Sequence, residues 1–162
     1  MKLIVAVDNK WGIGKDNKLL FHLKKDMAFF TETTLHKVVV MGANTFLSLP
    51  HGALKDRINI VLDDTGTPHE GTFVVKDIEE LFDKLTEYEN DDIFVIGGAS
   101  VYTALLPYCN TALVTKVHAD GEASIFIPNL DKLPEWDIIE KSEVILDGEY
   151  EIEFCHYSNI EH

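Results

Sequence analysis

The sequence predicts an α/β domain: a mostly parallel central sheet with helices on both faces, closed by an antiparallel C-terminal hairpin. Short β-branched apolar runs, such as residues 2–7 and 37–41, alternate with segments whose apolar residues recur every three or four positions. Runs of that kind suit strands covered on both faces, as parallel sheets require. Near the end of the chain, Asp147-Gly148 separates two strand-like stretches, a hairpin turn signal. With 162 residues, 46% of them hydrophobic, residues 1–162 make one domain with a sizeable core, which excludes disordered, collagen-like and disulfide-scaffold classes.

The elements follow in order. Residues 2–7 (KLIVAV) form a strand stopped by Asp8-Asn9, and a loop runs through Gly12 and Gly14 to about Phe21. Leu23, Met27, Phe30 and Thr34 mark one face of a helix over 24–35. Residues 37–41 are a strand, and Gly42 leads into a short helix ending near Pro50. Residues 58–62 and 72–75 are strands. Asp77 then caps a helix with the stripe Ile78, Leu81, Phe82 and Leu85, and Glu80 stands at capping-box spacing. Residues 92–98 (DIFVIGG) repeat the strand-to-glycine design, with a helix over 99–106 ended by Pro107. A strand at 112–117 precedes the hairpin formed by 137–146 and 149–157.

The formal charge of −14 leaves no basic stripe to displace counterions, so nucleic acid is not expected as a partner. The apolar N-terminal run meets Asp8 too soon for a signal segment or membrane span, so the protein is read as cytoplasmic, without a membrane partner and as a monomer. Cys109 and Cys155 lack CxxC spacing and are read as buried thiols. The seven histidines show no metal-ligand spacing, so no metal is expected, and no GxSxG elbow is present.

Two strand ends run through glycine into a helix, at Gly42-Ala43-Asn44-Thr45 and at Gly97-Gly98-Ala99-Ser100. Free N–H groups at such junctions suit a pyrophosphate, although glycine after a strand is more often only a turn. Asp26 borders the Leu23/Met27/Phe30 stripe. Its position alone fits an exposed first-turn acid favoured by the helix dipole better than a shielded carboxylate of raised pKa.

Taken in order, several segments resemble the dihydrofolate reductase family. They are Ile4-Val5-Ala6, GIGKDNKLLFHLKKD at 12–26, Val40-Met41-Gly42 with Thr45-Phe46 and Ser48-Leu49, and residues 54–57 ahead of Ile60-Val61-Leu62. Val95-Ile96-Gly97-Gly98 with Tyr102, and Leu113-Val114-Thr115, complete the series. Each motif is weak, but the joint order is specific and covers most of the chain.

The resemblance implies a hydride transfer from NADPH to dihydrofolate. Asp26 falls where the family keeps its one ionisable active-site side chain, which holds the pterin 2-amino group and N3. Thr115 matches that carboxylate's hydrogen-bond donor. Arg57 matches the clamp on the substrate's glutamate tail, for which a guanidinium fork is suited. Ile4, Val5, Leu19, Phe30, Leu49 and Leu54 match the pterin and benzoyl walls, with Ile96 and Tyr102 beside them. Ala6, Ile13, Gly14, Ile96 and Tyr102 fall where the nicotinamide is held, and residues 12–23 resemble the loop that closes over it. Leu19, Gly42, Ala43, Asn44, Thr45, Leu62, Asp63, Asp64, Lys76, Gly97, Gly98, Ala99, Ser100 and Val101 complete the implied cofactor site, with a cis peptide joining Gly97 and Gly98.

The chain also departs from the family pattern. Phe21 stands where tryptophan is usual, Ala43 and Ser100 where basic residues are common, and Asp63-Asp64 where the adenosine 2′-phosphate is normally met by Ser/Arg. A carboxylate about 5 Å from a phosphate charge costs roughly 1–3 kcal/mol, and either acid is also suited to accept from a ribose 2′-OH. NADH is therefore expected as a usable donor beside NADPH, with Lys76 a possible compensating cation. The competing readings are a catalytically silent folate-binding protein and a related pyrimidine reductase of riboflavin synthesis, the latter disfavoured by Asp26 and Arg57.

Overall fold

Alternation along the central strands decides which side of the sheet each residue serves. The computed structural model describes residues 1–16 and 18–162; Asn17, inside the segment read as the closing loop, lies outside the described residues. The chain begins with β1 (Lys2–Val7), β2 (Gly12–Lys15), β3 (Lys18–Leu19) and α1 (Lys24–Thr34), followed by β4 (Val38–Gly42), α2 (Ala43–Ser48), β5 (Ile58–Leu62) and β6 (Thr72–Val75). Then come α3 (Ile78–Leu85), β7 (Ile93–Gly97), α4 (Ala99–Leu105), β8 (Thr111–Val117) and β9 (Ile125–Phe126). The last strands are β10 (Trp136–Lys141), β11 (Ile145–Asp147) and β12 (Tyr150–Asn159).

The main sheet has the order β10-β12-β8-β1-β7-β4-β5-β6, with β11 on β12. All pairs from β8 to β6 are parallel, and β12 joins β8, β10 and β11 antiparallel. The predicted α/β class, with its antiparallel C-terminal hairpin, is the one observed. The turn residues are Gly148, at φ 64°, and Glu149, between the paired Asp147 and Tyr150. The α3 cap also forms: Asp77 accepts from Glu80 N at 2.8 Å. The Glu80 carboxylate reaches back to Lys76 N rather than to Asp77 N.

Two faces emerge from the period of two. Leu3, Val5, Val38, Val40, Val95 and Val114 point to one side, where Leu81, Leu85, Val101 and Leu105 of α3 and α4 cover them in one continuous core. The opposite face carries two separate clusters, Leu23 with Val117 and Ile152, and Val39 with Met41 and Val61. Ile4, Ala6, Leu113 and Thr115 lie in register on this face between them. Its cover is therefore interrupted, and α1 crosses the opening.

The α1 stripe is buried only at its ends: Leu23 joins the cluster with Val117 and Ile152 and Thr34 is fully buried, while Met27 between them is 54% exposed. One expectation needs correction. Residues 12–21 are not wholly loop, since β2 pairs with β3 and β9 in a small antiparallel sheet. Glycine carries little strand signal, yet a Cβ at Gly12 would lie 2.3 Å from the Ala123 Cβ, so close strand approach needs glycine there.

Candidate active site

The site is organised around the first turn of α1. Leu23, the residue before the helix, offers no capping side chain, so the first N–H groups of the helix need an acceptor from elsewhere. Asp147, 4% exposed at the end of β11, provides it: one carboxylate oxygen accepts from Lys25 N at 2.8 Å and from Asp26 N at 3.1 Å. Lys25 Nζ donates to the Leu146 carbonyl at 2.7 Å. Sequence reading took Asp147 only as a turn residue, because the partner that defines it is 122 positions away.

On the next residue, the Asp26 carboxylate accepts from the Thr115 hydroxyl at 2.6 Å. Thr115 is 2% exposed on β8, on the uncovered face. Burial pushes the Asp26 carboxyl above the ordinary carboxylate range, the Thr115 hydrogen bond pulls it back, and the like charge of Asp147 adds to the rise. Tyr102, from α4, is fully buried with its hydroxyl donating to Ile4 O at 2.7 Å. Burial and the nearby charge of Asp26 both raise its pKa. The structure thus brings Asp26, Thr115, Tyr102 and Ile4 together from four elements.

At the far end of α1, Arg57 Nε donates to Thr34 Oγ1 at 3.0 Å, Nη1 to Lys55 O at 2.8 Å and Nη2 to Thr31 O at 3.3 Å. A guanidinium has about five N–H donors, so one hydrogen on each Nη remains for a planar acceptor. Asn59, 2% exposed, fixes the loop before it by exchanging hydrogen bonds with Leu54 N and Leu54 O, both at 2.9 Å. Sequence reading missed Asn59 and Thr34, whose roles lie in these tertiary contacts.

Phe30, Leu49, Leu54 and Ile96 are half-buried apolar residues on or beside this face, as is Ala6. Two predicted wall residues stand elsewhere. The Val5 side chain points to the opposite core, as strand alternation demands, leaving its backbone on this side. Leu19 is 66% exposed on the outer β3 ribbon. Ile13 packs on the main core and Gly14 O accepts from Ser124 N at 3.0 Å. Phe21 packs edge-on to Tyr150 with centroids 4.8 Å apart.

Beside the cleft, β4 and β7 are neighbours and Met41 is paired with Gly97, so the two strand-to-helix junctions lie side by side. Neither α2 nor α4 has a side-chain N-cap. Gly97 and Gly98 are joined by a cis peptide, Gly97 has φ 131°, and a Cβ at either would lie 3.3–3.4 Å from Thr45 Oγ1. A Cβ at Gly42 would stand 3.1 Å from Val101 Cγ2. Ala43 and Ala99 are half-buried; Asn44 and Ser100 are exposed.

Past β5, whose last residue Leu62 is half-buried, the paired acids differ. Asp63 is turned inward: one oxygen accepts from Thr65 N and Thr65 Oγ1 at 3.0 and 2.7 Å, the other from His69 Nε2 at 2.9 Å. The Thr65 and His69 hydrogen bonds hold its pKa below the ordinary carboxylate range. Asp64 is exposed. The Lys76 side chain lies across the same turn, its Cε 2.7 Å from where a Gly66 Cβ would stand.

Among the described residues, no helix is long and apolar enough to cross a membrane and no cluster of His, Cys, Asp and Glu is arranged to hold a metal. Both cysteines are buried free thiols. A family model described as dihydrofolate reductase matches residues 1–159. The chain is 33% identical over 160 residues to the dihydrofolate reductase of Bacillus subtilis, covering 97% of this chain and 93% of the relative. It is 32% identical over 163 residues to that of Staphylococcus haemolyticus, covering 99% and 96%. A solved structure of Enterococcus faecalis dihydrofolate reductase complexed with NADP(H) and RAB-propyl superposes with a TM-score of 0.87 at 30% identity, covering 98% of this chain and 95% of that one.

Proposed function

The chain belongs to the dihydrofolate reductase family, and on that premise we propose that Asp26 is its catalytic carboxylate and that the cleft between α1 and β8 receives the pterin. The enzyme is an oxidoreductase that converts dihydrofolate to tetrahydrofolate with NADP(H). The observation that supports the site is the Asp26–Thr115 pair, a charge-bearing group set against a buried hydroxyl on the one sheet face that lacks a continuous cover.

Reduction of the N5=C6 imine adds a hydride to C6 and a proton to N5. The reduced nicotinamide, when bound, supplies the hydride. Asp26 holds the pterin 2-amino group and N3, and its negative charge stabilises the protonated ring. Because the reaction consumes a proton, turnover is fastest where the Asp26–substrate pair retains one and falls as pH rises through its titration. Thr115 fixes the carboxylate, Tyr102 closes the inner end of the cleft, and Ile4, Phe30, Leu49, Leu54 and Ile96 exclude water from the ring. The remaining Nη hydrogens of Arg57 take the glutamate α-carboxylate.

The glycine junctions fit a dinucleotide, since backbone that carries no Cβ and helix starts without side-chain caps let a pyrophosphate approach. Ala6, Ile13, Gly14, Gly42, Ala43, Asn44, Thr45 and residues 96–102 would hold the nicotinamide and phosphates, and Leu62, Asp64 and Lys76 the adenosine end. Asp63 has both oxygens occupied, so any acceptor role toward a ribose hydroxyl belongs to Asp64. Solvent around Asp64 keeps its repulsion toward a 2′-phosphate near the lower, water-like figure of about 1 kcal/mol. NADPH is then the donor with NADH usable, and the protein works as a cytoplasmic monomer over 1–162. Steady-state oxidation of each nicotinamide with dihydrofolate tests the reading: both support turnover, and Asp26→Asn removes most of it. Folate binding without turnover would favour a silent binder, and an NADPH preference above roughly a thousandfold would refute the reading of Asp64.

A further inference from the structure

The loop that makes a helix start is ordinarily its own, yet α1 takes its cap from the opposite end of the chain. Leu23 supplies no acceptor, and the oxygen that satisfies Lys25 N and Asp26 N belongs to Asp147. We propose that Asp147 is a positioning residue for the reduction: delivered by the C-terminal hairpin, it caps α1 and fixes both the placement of Asp26 and the electrostatic field in which Asp26 meets the pterin. This rests on the reading of Asp26 as the catalytic carboxylate.

The hairpin is anchored for that task. Asp147 is paired with Tyr150 across the Gly148 turn, and Tyr150 packs on Phe21, just before α1. Ile145, Tyr150 and Phe154 pack around Leu23, Val117 and Ile152 in the cluster beneath the helix start, and Phe154 stacks on Phe29 with centroids 4.7 Å apart. The second tie, Lys25 Nζ to Leu146 O, holds that ammonium on the hairpin backbone. The polar and titratable groups the structure sets against Asp26 are Asp147 from β11, Thr115 from β8 and Tyr102 from α4. Asp147 is the only anion among them. A neutral amide would serve the helix as well, since asparagine has the same shape and its oxygen also accepts. A carboxylate adds what the amide lacks, a like charge that favours the protonated form of Asp26.

Asp147→Asn separates the two contributions, because its amide oxygen keeps the cap while the charge is lost. Single-turnover hydride transfer is followed across pH in the parent enzyme, Asp147→Asn, Asp147→Ser and Asp147→Ala, with thermal unfolding measured alongside. The expected result is that the descending limb of the rate moves to lower pH in Asp147→Asn and Asp147→Ser. The rate at neutral pH then falls roughly two- to fivefold, and falls more than the rate at acidic pH. Asp147→Ala shows the same displacement with a larger loss and a lower unfolding temperature. If the normalised pH profiles of the Asn and Ser variants superimpose on the parent, Asp147 is a structural cap only and the proposal is overturned. Failure of the Asp26 reading looks different, since Asp26→Asn would then remain active whatever Asp147 does.

Discussion

Replacing Thr115 by valine keeps nearly the same shape on β8 and removes one hydroxyl, so its effect isolates a single hydrogen bond. That bond is 2.6 Å long, runs from a residue 2% exposed, and ends on a carboxylate. Its length lies in the charge-assisted range, where an O–H donor favours the ionised acceptor. Such bonds contribute about 1.5–3 kcal/mol, and about 1.4 kcal/mol is a factor of ten in an ionisation equilibrium. Without the hydroxyl, Asp26 should hold its proton roughly ten- to a hundredfold more tightly. The sign follows directly: Thr115 opposes the rise caused by burial, so Thr115→Val raises Asp26 further and moves the descending limb of hydride transfer to higher pH. The carboxylate also loses its fixed orientation, so kcat/KM for dihydrofolate falls at every pH. Stopped-flow decay of the reduced nicotinamide, taken across pH at saturating cofactor, measures both. A limb that stays in place, or moves to lower pH, would refute the assignment of Thr115 as the group that tunes Asp26.

Arg57→Lys keeps the charge but loses the planar fork and the ties to Thr34, Lys55 and Thr31; KM for dihydrofolate should rise roughly ten- to a hundredfold with kcat changed much less, which steady-state kinetics will read. Burial raises Asp26 in the folded state, so the native protein binds its proton more tightly than the unfolded chain does. The contribution of this carboxyl to stability is therefore greatest below its unfolded pKa and declines as pH rises through the folded value. Asp26→Asn should remove that decline, and urea titrations at several pH values should show the variant gaining on the parent toward neutral pH while activity is lost.

The pattern of burial was legible because it is local. Val38 to Met41 alternate between two faces and the run is apolar throughout, so the parallel strand could be read without knowing its neighbours. The same holds for the Asp77 cap and the Gly148 turn, each specified within four residues. The candidate site residues were legible in a different way. Asp26 by position alone fitted a solvent-exposed acid better than a buried one, and only the order of weak motifs around it singled it out. Once the chain is folded, that order has a physical meaning, since it brings β1, α1, α4 and β8 to one opening in the sheet.

What sequence could not supply depends on pairings with no local signature. The glycine-rich ribbon β2 reads as loop because glycine has little strand preference, and only its pairing with β3 and β9 makes it a strand. Asp63 and Asp64 are identical in composition, yet one is spent on Thr65 and His69 and the other faces solvent. Val5 changed sides because alternation, not identity, sets its direction. The chain by itself determined the class of fold and the acid at the head of α1, both written in short-range periodicity and motif order. The tertiary structure alone decided which charge stands behind that acid, because a helix end binds whichever acceptor the fold delivers to it, here one drawn from the far end of the polypeptide.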